Sequence, residues 1–101
     1  MTMGRTNDRV DMLNVNSPNH VVRVERVKYE AMRDAMLTVV PTEAPGLTAA
    51  EIKERLLPLL PEVLFPGGAK AGWWQKGVQL DLEARGQMAR SDTRPLRFYR
   101  P

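Results

Sequence analysis

Residues 69–100 read AKAGWWQKGVQLDLEARGQMARSDTRPLRFYR, and the fold turns on how that stretch divides. Up to Arg85 the apolar residues recur at helical spacing. Trp74, Val78 and Leu82 form one stripe, Trp73, Gly77, Leu80 and Ala84 a second, while Gln75, Lys76, Gln79 and Glu83 fall mainly on the other side. This predicts a helix from about Ala69 or Lys70 to Arg85, with Gly86 at the left-handed position that commonly ends helices. Gly72 and Gly77 each cost about 1 kcal/mol of helix propensity relative to Ala, so a close approach by another element is expected beside them. Beyond Gly86 the period drops to two. Met88, Leu96 and Phe98 are placed to face inward and Arg90, Arg97 and Tyr99 outward, and Ser91-Asp92-Thr93-Arg94-Pro95 has turn-forming composition, which together predict a two-stranded hairpin.

Two further helices precede this unit. From about Arg26 to Val40 the residues Tyr29, Met32, Met36 and Val39 recur at helical spacing, and Pro41 stops the run because it lacks a backbone donor. Thr48-Ala49-Ala50-Glu51 fits a capping box, flanked by Leu47 and Ile52 at the positions of a hydrophobic staple, so a second helix starts there and continues through Leu56. Pro58 and Pro61 limit it, leaving Leu59 to Phe65 as an irregular, largely buried connection or a short extra turn. His20 to Val27 alternates weakly and suits a short strand. Residues 1–20 are expected to be a flexible or loosely docked N-terminal arm, in which only Val10, Met12, Leu13 and Val15 can pack; residues 21–101 form the single domain.

The order of these elements, three helices and then a hairpin, resembles a winged helix-turn-helix domain. The resemblance is carried by Gly46-Leu47-Thr48-Ala49-Ala50-Glu51-Ile52 at the second helix, by Leu80 to Arg90 at the passage into the first wing strand, and by Pro95 to Arg100 in the returning strand. Gly72-Trp73, opening the third helix, and the Leu82 to Gly86 segment are similar to the N-terminal winged-helix module of Mrr-type restriction endonucleases. The block Leu64 to Trp74 looks like that of a small uncharacterised bacterial stand-alone family. The chain leaves no room for an endonuclease domain, so cleavage is not expected. The fold class expected is therefore mainly α with a small β-hairpin, a three-helix winged helix-turn-helix.

Composition narrows the function. With 43% apolar and 27% charged residues the chain has the balance of a soluble globular protein, and no apolar run approaches the roughly 18–20 residues needed to cross a bilayer. The N-terminus lacks the apolar core of a secretory signal, so a cytoplasmic location and no membrane partner are expected. There is no cysteine and a single histidine, His20, which leaves no thiolate or histidine cluster for a metal and no histidine triad. We therefore expect no metal, no cofactor and no enzymatic activity.

The charge is unevenly placed. Residues 1–65 hold eight Lys or Arg against nine Asp or Glu, while residues 66–101 hold seven against three. A local basic surface is the footprint of a phosphate partner. The winged-helix resemblance implies duplex DNA as that partner, with Lys70, Gln75, Lys76 and Gln79 facing it from the third helix and Arg90, Arg94 and Arg97 from the wing. Gln and Lys suit base edges and phosphate, and arginines suit phosphate or a narrow minor groove. Two competing accounts remain open at this stage. The helix residues also fit a plain solvated face, and hairpin arginines also guard a sheet edge against aggregation. The alternative function is a winged-helix module for protein–protein interaction or homodimerisation without DNA binding. Trp73 and Trp74 would suit stacking on single-stranded bases if exposed, but neighbouring helix positions lie about 100° apart and both are expected on the broad core face.

Overall fold

The structure is a computed structural model and describes residues 8–101. In chain order it contains β1 (Arg9–Met12), β2 (Val22–Glu25), α1 (Arg26–Val39), β3 (Leu47–Thr48), α2 (Ala49–Leu56), α3 (Ala71–Ala84), β4 (Ala89–Ser91) and β5 (Arg97–Tyr99), with short 3-10 turns at Leu57–Leu59 and Pro66–Gly68. Three helices thus combine with two small antiparallel sheets, one of order β1-β2 and one of order β3-β5-β4. This is more strand than the single hairpin expected. The additions are β1, which pairs Arg9 with Glu25 through Met12 with Val22, and β3, which pairs Leu47 with Phe98 and Thr48 with Arg97.

Local rules account for the helices. The α2 capping box forms as read: the Thr48 hydroxyl accepts from the Glu51 amide at 3.2 Å, and the Glu51 carboxylate accepts from the Thr48 amide at 2.9 Å. Loss of such a cap costs about 1 kcal/mol. Thr48 is also the last residue of β3, so the helix start and the sheet edge are fixed by one residue. Just upstream Gly46 has φ +89, and a Cβ there would lie 1.8 Å from the Phe98 carbonyl oxygen, so only glycine lets this turn meet β5. Gly86, at φ +77, ends α3 where the sequence places it.

The core lies where α1, α2 and α3 meet over the three-stranded sheet. Met32, Met36, Ile52, Leu56, Val78 and Leu82 are fully buried, and Trp74, Met88 and Phe98 close around them. Phe65, from the connection after α2, packs edge-on against Trp74 with ring centroids 6.3 Å apart. The expected buried character of that connection therefore resides in Phe65, while Leu59 and Val63 are exposed.

The stretch expected as a flexible or loosely docked arm behaves differently from residue 8 onward; residues 1–7 lie outside the described residues. Met12 is buried and rests on Gly77 of α3, where a Cβ would come within 2.6 Å of the Met12 Cε. That contact is the close approach anticipated from the glycine. The Val15 amide also donates to the Leu80 carbonyl.

One carboxylate ties these parts together. Asp81 on α3 is wholly buried and accepts from the Tyr29 hydroxyl of α1, from the Leu13 amide at 2.8 Å, and from Arg85 Nε at 2.9 and 3.0 Å. Arg85 in turn donates to the Asp11 carbonyl at 2.9 Å. Burial, together with the hydrogen bond to Asp81, pushes the Tyr29 pKa from 10.0 up to about 12.

Two outcomes follow from this cluster. Asp81→Ala is expected to lower the free energy of urea unfolding by about 2–4 kcal/mol, because Tyr29 and Leu13 are left with buried unpaired donors, and to speed hydrogen exchange at the Leu13 amide. For Tyr29 the folded pKa lies above the unfolded one, so its contribution is complete below about pH 10 and is lost as pH rises toward 12. The stability advantage of the wild type over Tyr29→Phe should hold constant from pH 7 to about 9.5 and shrink between pH 10 and 12. A difference that does not change across that range would contradict the assignment.

Candidate nucleic-acid interface

The third helix, the start of α2 and the hairpin enclose a cleft of about 460 Å³. Gly72, Gln75, Lys76 and Gln79, spaced along one side of α3, form one wall, and Ala49, Ala50 and Lys53 of α2 form the second. Arg90, Pro95, Leu96 and Phe98 supply the side made by the hairpin. Four of the seven residues singled out from the sequence, namely Gln75, Lys76, Gln79 and Arg90, therefore meet in one place. Arg94 precedes Pro95 at the hairpin turn, and Lys70 stands immediately before α3 with φ 59.

Their surroundings differ from the sequence expectation. Gln75 and Gln79 do not point out to solvent; they are 5% and 3% exposed. The reason is that Gln75 turns across to the start of α2 and Gln79 folds along its own helix onto Glu83, so neither amide extends outward. Gln75 Nε2 donates to the Ala49 carbonyl at 2.8 Å and Gln79 Nε2 to Glu83 at 3.3 Å. Trp74 is buried as expected, but Trp73 is 56% exposed, with its ring set edge-on to Trp74 at 5.2 Å.

Two of the three hairpin arginines are held by carboxylates. Arg90 donates to Glu83 through Nε at 2.6 Å and through a terminal nitrogen at 2.9 Å, and its guanidinium lies 5.9 Å over the Phe98 ring. Hydrogen bonding to Glu83 keeps the Arg90 pKa above its ordinary value, against a smaller opposing effect of burial. Arg97 reaches the Gly46 carbonyl at 3.3 Å and Glu51 at 3.4 Å. The Glu51 pKa is lowered, first by the Thr48 amide it accepts from and, after a smaller opposing effect of burial, by Arg97. Arg94 is different: it is 87% exposed, and its contact with Asp92 is 3.9 Å between two solvated side chains.

Three lysines on or beside the cleft carry uncompensated charge, as Arg9 and Arg55 do elsewhere on the described surface. Lys53, Lys70 and Lys76 are exposed and form no ion pair among the described residues, whereas Arg23, Arg26, Lys28 and Arg33 on β2 and α1 each face a carboxylate. Lys53 escaped the sequence reading. It was visible as a polar position opposite Ile52 and Leu56, but nothing local says that its side of α2 turns toward Gly72, where a Cβ would stand 3.7 Å from the Lys53 Nζ. His20 is exposed and borders a shallow groove with Trp73, Met12 and Leu80. Among the described residues no group of three or more His, Cys, Asp or Glu is placed to hold a metal ion, and no helix is long and apolar enough to cross a membrane.

Residues 9–98 match a family of unknown function, DUF6958, and the chain belongs to that family. The matched region runs from the first residue of β1 into β5, so the β1–β2 ladder lies inside the family's unit. No curated protein and no solved structure gives a match.

The different surroundings of the wing arginines have a measurable consequence. Arg90→Ala leaves Glu83, whose side chain is only 5% exposed, without its main partner, and is expected to destabilise the fold by about 1–2 kcal/mol. Arg94→Ala should change stability by less than about 0.5 kcal/mol. Chemical denaturation of the two variants separates them; equal losses would remove the distinction between a structural Arg90 and a free Arg94.

Proposed function

We propose that this chain is a non-enzymatic DNA-binding module of winged-helix type, in which α3 is the helix presented to duplex DNA and the β4–β5 hairpin is the wing. The arrangement of a capped α2, an α3 ended by Gly86 and a hairpin joined by a third strand at its β5 edge supports this reading. The observation that carries it is the placing of uncompensated cations: Lys53, Lys70, Lys76 and the weakly paired Arg94 lie on or beside the cleft between α3, α2 and the hairpin. Cations without carboxylate partners keep their full attraction for phosphate, and a duplex that displaces counterions from its backbone gains affinity from each of them.

The contact set accordingly shifts from the one read in the sequence. Gln75 and Gln79 are withdrawn from the outer face, and Arg90 and Arg97 serve the fold. Lys53, Lys70, Lys76 and Arg94 make the phosphate contacts, and the exposed Gly72 and Trp73 stand at the contacting end of α3. Gly72 has no side chain to keep the DNA backbone away. Such contacts fix position more than sequence, since phosphate contacts carry no base information.

A second reading, a protein-interaction module or homodimer, is favoured by one observation. Trp73 stands exposed beside a groove lined by Leu13, Val22 and Leu80, and Val15 and Val21 are also exposed in the segment that borders it. An exposed tryptophan beside apolar neighbours is a usual anchor of protein interfaces.

The two readings separate in solution. Duplex binding, measured by fluorescence anisotropy, should weaken steeply between 50 and 200 mM salt, and the Lys76→Glu/Arg94→Glu variant should bind at least tenfold more weakly with a shallower salt slope. Absence of duplex binding at 50 mM salt by a folded protein would sink the DNA reading. A dimer disrupted by Trp73→Ala would in that case take its place.

A further inference from the structure

The cleft behind the lysines has a chemistry that phosphate contact alone does not use. Gln75 and Gln79 are both more than nine-tenths buried and both line it. Each amide is oriented by its nitrogen, which must face an acceptor: the Ala49 carbonyl for Gln75 and the Glu83 carboxylate for Gln79. Each Oε1 is thereby left without a donor among the described residues. An unsatisfied buried acceptor is costly, so the cleft calls for a group that brings N–H donors. Leu96 and Phe98 provide an apolar wall, and Lys53 and Lys76 provide two positive charges.

The order of these groups along α3 is informative. The Lys53 Nζ lies next to Gly72, and Gln75 and Gln79 follow three and seven residues later, so the anion-seeking group and the farther amide are about 10 Å apart along the helix. A ligand that reaches from Lys53 to the farther amide, Gln79, must carry its negative charge and an N–H donor at opposite ends of an apolar body. An amino acid, with both on one carbon, does not span this length. The cleft volume of about 460 Å³ falls in the range of about 300–1,000 Å³ in which small-molecule sites lie.

We propose that this cleft binds a single nucleotide bearing an exocyclic amino group. The phosphate sits between Lys53 and Lys76, the base lies against Leu96 and Phe98, and the amino group donates to Gln75 and Gln79. The nucleotide is either free or a base turned out of a strand held by the duplex-binding surface, and the chemistry of the site is the same for both. This goes beyond duplex binding and does not require it.

The test uses the full chain and isothermal titration with dAMP, with the 5′-monophosphate of purine deoxyriboside, which lacks only the amino group, and with inorganic phosphate. Saturable dAMP binding is expected, at least tenfold tighter than the des-amino nucleotide, with no measurable binding of phosphate alone. Gly72→Leu, a change at an exposed position that plugs the entrance, should weaken dAMP at least tenfold. Gln79→Met, which leaves only Gln75 as acceptor, should reduce the preference for the amino group while leaving the melting temperature within a few degrees. No saturable dAMP binding at millimolar concentration, equal affinity for the two nucleotides, or indifference to Gly72→Leu in a folded protein would each overturn the proposal. A duplex carrying one 2-aminopurine distinguishes the sources: a rise in its fluorescence on saturation assigns the extruded base, and dAMP binding without that rise assigns the free nucleotide. Duplex binding with no dAMP binding refutes this site and leaves the DNA reading intact, and dAMP binding with no duplex binding does the reverse.

Discussion

The Asp81 carboxylate sits where three parts of the chain meet, and most of the architecture depends on its being satisfied there. A charge removed from water is tolerated only when its oxygens are fully hydrogen-bonded. Here the donors come from α1 through Tyr29, from the segment after β1 through Leu13, and from the end of α3 through Arg85. None of these elements can shift along another without stranding a donor or the carboxylate. Hydrophobic packing of Met32, Ile52 and Leu82 holds the helices together without strong direction, whereas the Asp81 cluster adds one specific register. It also explains why the chain from residue 8 onward is part of the body: the Arg85 bond to the Asp11 carbonyl and the Leu13 bond to Asp81 dock β1 on α3 from its C-terminal end.

With that end of α3 fixed, its other sides are assigned in turn. Trp74, Val78 and Leu82 enter the core, Gly77 accepts Met12, and Gln75 and Gln79 face α2 and the hairpin. What remains open is the first half of the helix around Gly72, Trp73 and Lys76. The hairpin that borders this opening is held by Glu83 through Arg90 and by Glu51 through Arg97, the same Glu51 that caps α2. The cap, the sheet edge and the hairpin are thus mechanically one unit, and the cleft between them is preformed by interactions that serve the fold.

How much of this was legible in the sequence follows from the range of the forces involved. The capping box at Thr48, the stop at Gly86 and the hairpin from Met88 to Tyr99 are set by residues within a few positions of one another, and all three appear where the sequence places them. β1 and β3 were not legible, because strands of four and two residues carry almost no period of their own and exist through partners found 10 or more residues away. The amphipathic pattern of α3 misassigned Gln75, Gln79 and Trp73 for a related reason. A helical wheel separates apolar from polar residues but does not report how many neighbours surround the helix, so two buried amides looked like solvent-facing ones and an exposed tryptophan looked like core. Lys53 became a site residue only once the packing of α2 on α3 was known.

The basic balance of the last third of the chain also reads differently in three dimensions. Of its seven cations, Arg85, Arg90, Arg97 and Arg100 each donate to a carboxylate or a backbone carbonyl, so their charge is engaged in holding α3, the hairpin and the end of α1. Planar guanidinium groups with several donors suit that task, whereas an ammonium is a compact, hydrated point charge on a flexible stem. Around the cleft Arg85, Arg90 and Arg97 are fastened into the structure, while Lys53, Lys70 and Lys76 are left without carboxylates among the described residues. The charge count of the segment therefore overstates the number of cations open to a ligand, while Lys53, which lies outside the segment, adds one. The roles are thus separated around one cleft: Glu83 and Glu51 hold Arg90 and Arg97 of the hairpin, while no carboxylate among the described residues holds Lys53, Lys70 or Lys76.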